Sequence, residues 1–289
     1  MNRTFLLAIV FDVFFSLNIF GEGVEINGLC YMLFKESGEA IVANGNNTWE
    51  GELRIPEKVT YDGKDYTVTY IKWLAFMNCE GMTQVYIPQT IKDILHDYHN
   101  LDRYKNPFMY CCNLESIDVD NNNQYLTSQD GVLFDKEMKG LYAYPSGNSR
   151  LSYNVPESVT RIYDLAFEGS RNLSSIHIPA SVDRIGGSAF AGCSLDALVI
   201  CGILEEDIPQ DIFAYMDTST VIYTHVSQIE KLQKLYKGKV LPISDYNLRV
   251  SEIPQTEIQK TVFGLQGRRL SAIPAKGLYI KDGKKFVSR

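Results

Sequence analysis

The residues best suited to chemistry in this sequence lie close together in one polar segment. His96 and His99 are three positions apart and flank Asp97. If the segment were helical, the two imidazoles would share one face and could ligate a metal ion such as Zn²⁺. In an exposed loop the same residues are ordinary solvated side chains, and this is the interpretation that we favour. We therefore predict no metal site, and a metal-dependent enzyme would need stoichiometric metal in the purified protein.

The rest of the sequence offers few parts of a catalytic site. It contains no Gly-x-Ser-x-Gly motif, phosphate-binding loop or dinucleotide-binding fingerprint. No carboxylate is fixed beside His177 by sequence, and Ser158 and Ser188 occupy turn positions of an internal repeat. We predict that the protein is not an enzyme, that it has no catalytic residues and that it binds no cofactor.

A 23-residue repeat determines which side chains can meet. Residues 154–170 read NVPESVTRIYDLAFEGS and residues 177–193 read HIPASVDRIGGSAFAGC, so that Phe167 aligns with Phe190. Proline, valine, isoleucine and alanine also recur in matching columns. A fixed period in this range is typical of a solenoid, in which each coil buries its apolar edge against a neighbouring coil.

Each repeat contains a Leu-x-x-Ile-x-Ile-Pro segment whose last positions alternate as in a strand. Ile176 and Ile178 are expected to point inward, and Ser175 and His177 outward. Stacked coils should then pair these strands in one parallel sheet. Pro179 should end the strand because proline lacks an N–H donor. The repeat phenylalanine should fill the interior.

The outward side of this sheet is the best candidate for a binding surface. Tyrosine, aspartate and histidine on a flat sheet could recognise a protein segment or a glycan. An ordinary solvated strand face is the alternative. Aromatic residues of the 95–110 insertion, namely Tyr98, Tyr104 and Tyr110, form a second candidate surface. The outward column contains Gln84, Tyr86, Ser116, Asp118, Ser175 and His177, and it ends with Ala197 and Val199.

Three of the six cysteines share one column of the repeat. Cys79, Cys111 and Cys193 each follow the repeat phenylalanine by three residues, a column otherwise filled by Ser170 and Met216. A small buried thiol packs in such a column as well as serine does. We expect reduced packing cysteines, although disulfides stay open because the remaining cysteines have no assigned column. The spacings match no zinc-ligand pattern.

Charge is unevenly distributed along the chain. From residue 256 to the end there are eight Lys/Arg against two Asp/Glu, so this part carries +6 and the remainder −13, for a net charge of −7. An acidic body argues against nucleic acid as a partner, since phosphate contacts need a positive surface.

The first 23 residues have the pattern of a signal peptide. One positive charge precedes an apolar run that contains Asp12, and small residues follow at Gly21 and Gly23. The run is short for a membrane span, which needs about 20 apolar residues. We predict export, cleavage near Gly21 or Gly23, and no transmembrane span.

The motif Ile-Pro-x-Ser-Val-x-x-Ile-Gly-x-x-Ala-Phe-x-x-Cys of residues 178–193 resembles the BspA-type leucine-rich repeat of secreted surface proteins from host-associated anaerobic bacteria. The resemblance covers about 53–224. It implies a mainly β protein with minor α/β content, folded as a right-handed leucine-rich-repeat solenoid. We expect about five irregular coils with a β lead-in and a C-terminal cap. The resemblance also implies adhesion to host matrix proteins, other bacteria or mucosal surfaces.

Five segments are predicted along the chain. The function predicted for them is non-catalytic binding or adhesion at the cell surface, through the sheet face or the insertions, with a protein or glycan of the host or of another bacterium. The alternative is a glycan-capturing accessory protein for nutrient uptake. The segments are a signal peptide (1–23), an N-terminal β cap (24–52), a leucine-rich-repeat solenoid with insertions (53–218), a strand–helix C-terminal cap (219–245) and a small basic β tail (246–289).

Overall fold

The structure is a computed structural model of the chain. It describes residues 23–45, 49–95, 104–205 and 207–246, and the backbone of four strands between 262 and 288. The protein is mainly β, as predicted. Within the described ranges, no helix is long and apolar enough to cross a membrane.

Nine strands precede residue 120, and most are short because turns or prolines interrupt the chain. They are β1 (Val24–Ile26), β2 (Leu29–Phe34), β3 (Glu39–Ala43), β4 (Gly51–Arg54), β5 (Lys58–Tyr61), β6 (Lys64–Lys72), β7 (Met82–Ile87), β8 (Asp93–Leu95) and β9 (Ser116–Val119).

The remaining strands include the two clean repeats and the tail. They are β10 (Leu126–Gln129), β11 (Val132–Asp135), β12 (Gly140–Ala143), β13 (Ser152–Asn154), β14 (Arg161–Ile162), β15 (Ser175–Ile178), β16 (Arg184–Ile185), β17 (Ala197–Ile200), β18 (Val221–Thr224), β19 (Lys239–Pro242), β20 (Val262–Gly264), β21 (Arg269–Leu270), β22 (Gly277–Lys281) and β23 (Lys284–Ser288).

The Leu-x-x-Ile segments form parallel strands with alternating burial, as the repeat predicts. In β15, Ile176 and Ile178 are buried whereas Ser175 and His177 are partly exposed. Equivalent positions pair across neighbouring repeats, so that Ile176 is in register with Leu198. Each strand therefore has one buried apolar side and one partly exposed outward side.

These strands form two parallel sheets rather than the one sheet expected from the repeat. The first has the order β4-β7-β9 and the second the order β13-β15-β17-β18-β19. The turn between β10 and β11 separates them, because Ile117 N donates to Gly131 O at 2.9 Å and Arg150 Nη2 donates to Asp130 O at 2.7 Å. Gly131 has φ +78°, and a Cβ there would lie 2.7 Å from the Ser116 hydroxyl oxygen.

The β10–β11–β12 excursion also divides the hydrophobic core. Leu133 packs in the N-terminal cluster, whereas its neighbours Val132 and Phe134 pack in the C-terminal cluster. Alternate residues of a strand point to opposite faces, so β11 presents one face to each cluster. β11 and β12 thus form an internal partition that is buried on both sides.

A second set of short strands lies across the repeats. β3, β6 and β8 pair in parallel, as do β12, β14 and β16. The N-terminal strands extend the first of these groups, since β1, β2 and β3 pair antiparallel. β5 and β6 form an antiparallel hairpin whose last pair is Tyr61 with Lys64. Residues 96–103 of the 95–110 insertion, which include His96, Asp97 and His99, lie outside the described residues.

Aromatic rings stack through the interior of the repeats. Phe167 and Phe190 have ring centroids 5.7 Å apart, and Phe190 and Phe213 are 6.2 Å apart. Tyr144 stacks on Phe167 at 5.4 Å, and Tyr236 meets Phe213 edge-on at 5.4 Å. These tyrosines also follow the 23-residue period. The column of stacked aromatic rings is therefore longer than the phenylalanine repeat predicted.

The cysteine column is buried, as predicted, and all six cysteines, which lie in the described ranges, are reduced rather than disulfide-bonded. The Cys111 thiol donates to Phe76 O at 3.0 Å and the Cys193 thiol donates to Phe167 O at 3.1 Å. Each of these thiols thus bonds the preceding repeat's phenylalanine carbonyl. Burial raises the pKa of Cys193 to about 12, which keeps it a neutral thiol.

The C-terminal part of the chain contains the predicted helix and tail strands. A 3-10 turn (Val226–Gln228) leads into helix α1 (Ile229–Leu235), which connects the parallel strands β18 and β19. Leu232 buries its side chain in the C-terminal core. In the tail, β20 to β23 pair antiparallel in a small sheet.

One buried carboxylate makes stability depend on pH. Glu168 accepts a hydrogen bond from Tyr110 N at 3.1 Å, and burial raises the pKa of its carboxyl. A carboxyl group whose pKa is higher in the folded than in the unfolded state stabilises the protein at a pH below its unfolded-state pKa. That stabilisation is lost as the pH rises through the folded-state pKa. Glu168→Gln should therefore raise the Tm at neutral pH and approach the wild type in acid. Thermal unfolding across pH checks this, with exposed Glu157→Gln as control; a lower neutral-pH Tm for Glu168→Gln would contradict it.

Candidate functional site

The β4-β7-β9 sheet brings together four of the side chains that the sequence assigns to a binding surface. Gln84 is in register with Ser116, and Tyr86 is in register with Asp118. All four alternate with buried core residues and are partly exposed. The structure therefore places them side by side on the outward face of one sheet.

The Asp118 carboxylate is held by two of its neighbours. Gln84 Nε2 donates to Asp118 Oδ2 at 2.5 Å, and the Ser116 hydroxyl donates to Asp118 Oδ1 at 3.2 Å. Bonds between side chains of adjacent repeats restrict their rotamers before any ligand arrives. Less conformational entropy is then lost on binding.

Tyr86 is fixed from both sides. Its hydroxyl donates a hydrogen bond to the Asp120 carboxylate, and the Arg54 guanidinium lies 4.7 Å from its ring centroid. This hydrogen bond raises the pKa of Tyr86 and, with the Asn122 N–H, lowers the pKa of Asp120. The tyrosine is thus neutral and the aspartate charged at neutral pH. The arrangement orients a tyrosine, an arginine and a carboxylate on one surface, which favours recognition of a partner.

Arg54 and Asp120 were not among the residues identified from sequence. Arg54 is in register with Tyr86, and Asp120 follows Asp118 by two residues. Arg54 lies between Leu53 and Ile55 in the first Leu-x-Ile-Pro segment, and Asp120 directly follows β9. The period-2 alternation of strands, applied to that segment and one residue beyond β9, would have found both. We call this surface the polar face; it consists of Arg54, Gln84, Tyr86, Ser116, Asp118 and Asp120.

Ser175 and His177 lie on the second parallel sheet and so are separated from the polar face. His177 Nε2 forms a 2.8 Å hydrogen bond with the Tyr246 hydroxyl, and the two rings meet edge-on with centroids 5.1 Å apart. Burial lowers the pKa of His177. This histidine is already engaged by a residue of its own chain.

The outward face beyond His177 is apolar and covered. Ala197, Val199 and Tyr223 form a small buried cluster, against which Ile243 and Tyr246 pack. The repeat pattern predicted that Ala197 and Val199 end the outward column. They do face outward from the sheet, but the chain after β19 shields them from solvent.

The aromatic candidates lie elsewhere. Tyr98 is outside the described residues. Tyr104 forms a parallel bridge with Asp164, and its ring is 5.0 Å from that of Trp73. Tyr110 is half exposed, at 51%. Tyr104 therefore belongs to an aromatic pair away from the polar face.

A match to the BspA type Leucine rich repeat region, in six copies, covers residues 57–129 and 140–263. The match includes more than half of the chain. This chain belongs to the BspA-type leucine-rich repeat family. Such repeat proteins generally mediate protein binding. The matched residues include most of the polar face.

Several solved bacterial structures are similar to this chain. A leucine-rich repeat protein from Eubacterium ventriosum is 16% identical, with a TM-score of 0.36 over 77% of this chain and 75% of that one. A leucine rich cell surface protein from Faecalibacterium prausnitzii is 17% identical, with a TM-score of 0.34 over 78% and 97%. A leucine-rich repeat protein from T. pallidum is 15% identical, with a TM-score of 0.35 over 76% and 100%. No curated protein matches the sequence significantly.

Proposed function

We propose that the protein is an exported, surface-exposed binding protein that recognises a host or bacterial macromolecule without chemistry. The polar face is the contact surface, and the preferred partner is a protein. A right-handed solenoid of about five irregular coils would present this face, between the N-terminal β cap of residues 24–52 and the strand–helix cap of residues 219–245. The signal-peptide pattern of residues 1–23 and the family resemblance support export.

The observation that carries this proposal is the fixed position of Tyr86 between Arg54 and Asp120. Tyrosine and arginine are enriched among the residues that dominate protein–protein affinity. A tyrosine that is already oriented loses little conformational entropy on binding. Among the described residues, the chain after β19 covers the apolar region around Tyr223, whereas the side chains of the β4-β7-β9 face stay partly exposed.

Truncation of Tyr86 tests the proposal. Tyr86→Ala should reduce affinity for a bound matrix or bacterial-surface protein by roughly thirtyfold, the equivalent of about 2 kcal/mol for a central tyrosine. Tyr215→Ala is the matched control, because Tyr215 is 92% exposed and outside the polar face. Surface plasmon resonance of both variants and the wild type provides the comparison. Equal affinity of Tyr86→Ala and the wild type would exclude the polar face as the contact surface for this partner.

The alternative is glycan capture for nutrient uptake, and the Trp73–Tyr104 pair favours it because aromatic faces stack on sugars. In that case Tyr104→Ala or Tyr98→Ala should abolish binding on a glycan array, whereas Tyr86→Ala should not. Loss of glycan binding in Tyr86→Ala alone would contradict this alternative.

A further inference from the structure

The polar face carries an excess of negative charge at fixed strand positions. The charged outward side chains of β4, β7 and β9 are Glu52, Arg54 and Asp118, and Asp120 directly follows β9. Three carboxylates against one guanidinium give a formal net charge of −2. The second parallel sheet has an apolar cluster around Tyr223 on its outward side instead. A partner that docks on the polar face therefore meets negative charge.

The two aspartates are held by neutral donors. Asp118 accepts hydrogen bonds from an amide and a hydroxyl of the neighbouring outward positions, and Asp120 accepts from the Tyr86 hydroxyl and from Asn122 N. Neutral donors orient a carboxylate without cancelling its charge, and here they lower the pKa of Asp120. A carboxylate has about four acceptor positions, so each aspartate can also accept from a partner.

Arg54 lies on the far side of Tyr86 from Asp118. The three residues follow one another in register across β4, β7 and β9. Strands about 4.8 Å apart place the backbones of Arg54 and Asp118 about 10 Å apart. The Arg54 guanidinium lies over the Tyr86 ring, 4.7 Å from its centroid. The β9 side of the polar face therefore has its own negative charge.

The spacing of the aspartates fits an extended peptide. Asp118 and Asp120 are two residues apart, which is about 6–7 Å in an extended chain. An extended partner segment repeats its side chains on one side at the same interval. Such a segment can place one cationic side chain on each aspartate when it runs along β9.

We infer that the polar face selects an extended basic segment of a partner protein, with Lys or Arg at alternate positions. This inference rests on the proposed function, because it names the class of partner that the polar face binds. Residues 1–255 carry a formal charge of −13, which has the same sign as the polar face. Opposite charges speed association, and salt weakens the attraction.

The test is surface plasmon resonance of the full chain on three immobilised eight-residue peptides, in which Thr alternates with Lys, Gln or Glu. The Lys peptide should bind saturably, and its affinity should fall about tenfold between 50 and 500 mM NaCl because the contacts are ionic. The Gln and Glu peptides should bind at least tenfold more weakly. Equal binding of the Lys and Gln peptides, or no saturable binding of the Lys peptide, would overturn the inference.

Charge-removing variants locate the contact. Asp118→Asn and Asp120→Asn should each weaken binding of the Lys peptide about threefold to tenfold. Asparagine retains an acceptor oxygen for the neighbouring donor, so thermal unfolding should show both variants folded. Asp207→Asn is the matched control, because Asp207 is exposed and lies outside the polar face; it should change affinity less than twofold. Equal weakening by all three variants would overturn the inference, since overall charge would then explain the attraction.

The protein partner used to test Tyr86→Ala separates this inference from the proposed function. If Tyr86→Ala weakens binding of that partner and neither asparagine variant does, the polar face remains the contact surface and the basic segment is excluded. If Tyr86→Ala and both asparagine variants bind the partner as the wild type does, the polar face itself is excluded. We expect all three variants to lose affinity.

Discussion

Phe190→Ala is expected to lower the free energy of unfolding by about 3–5 kcal/mol. Phe190 is fully buried and stacks between Phe167 and Phe213, so truncation leaves a cavity bounded by two rings that the backbone holds apart. The lost contacts belong to two neighbouring repeats at once. Equilibrium urea unfolding of the wild type and the variant measures the difference.

The stacking explanation has a matched control. Phe190→Leu retains much of the apolar volume and should lose considerably less stability than Phe190→Ala. Tyr215→Ala removes an exposed ring and should leave the urea midpoint nearly unchanged. An unchanged midpoint for Phe190→Ala would contradict the assignment of the aromatic column.

Asn123→Ala is expected to lower the free energy of unfolding by about 2–4 kcal/mol. Asn123 is fully buried, and its Nδ2 donates to Pro88 O and to Ile91 O, both at 2.9 Å. Its Oδ1 accepts from Tyr125 N and Leu126 N, both at 2.8 Å. Alanine would leave four backbone groups without their partner, and denaturant unfolding measures the loss.

Two substitutions control for composition and local backbone effects. Asn122→Ala changes an exposed neighbour and should be nearly neutral. Asn123→Asp keeps the two acceptor bonds but loses both donor bonds, so it should also destabilise the protein. Equal stability of Asn123→Ala and Asn122→Ala would show that the four hydrogen bonds contribute little.

Much of the fold was predictable because the repeat constrains it. The 23-residue period gives the parallel register of Tyr153 with Ile176, and strand alternation gives the burial of Ile176 and Ile178. The same alternation brought Gln84 and Tyr86 beside Ser116 and Asp118. Such features depend on local periodicity, which the sequence displays directly.

The division into two sheets was not predictable in this way. It depends on where the Asp130–Gly131 turn inserts, which is a tertiary contact with Ile117 and Arg150. The hydrogen bonds of Asn123 likewise depend on tertiary contacts. A buried asparagine that bonds four backbone groups looks, in sequence, like any residue of a polar turn.

Other features were visible but overlooked. Tyr144 and Tyr236 follow the phenylalanine period, yet a search for phenylalanine alone passes over them. The covering of Val199 by Tyr246 was different, because it depends on how the chain turns back after β19. No periodicity encodes that contact.

The most direct test of the central claim is photo-crosslinking from the polar face. A photoreactive phenylalanine at position 84 should crosslink to the protein partner captured from a panel of matrix and bacterial-surface proteins. The same group at the exposed position 215 should not. Crosslinking from position 84 alone is the result that we predict; equal crosslinking from both positions, or from position 215 alone, would contradict recognition through the polar face.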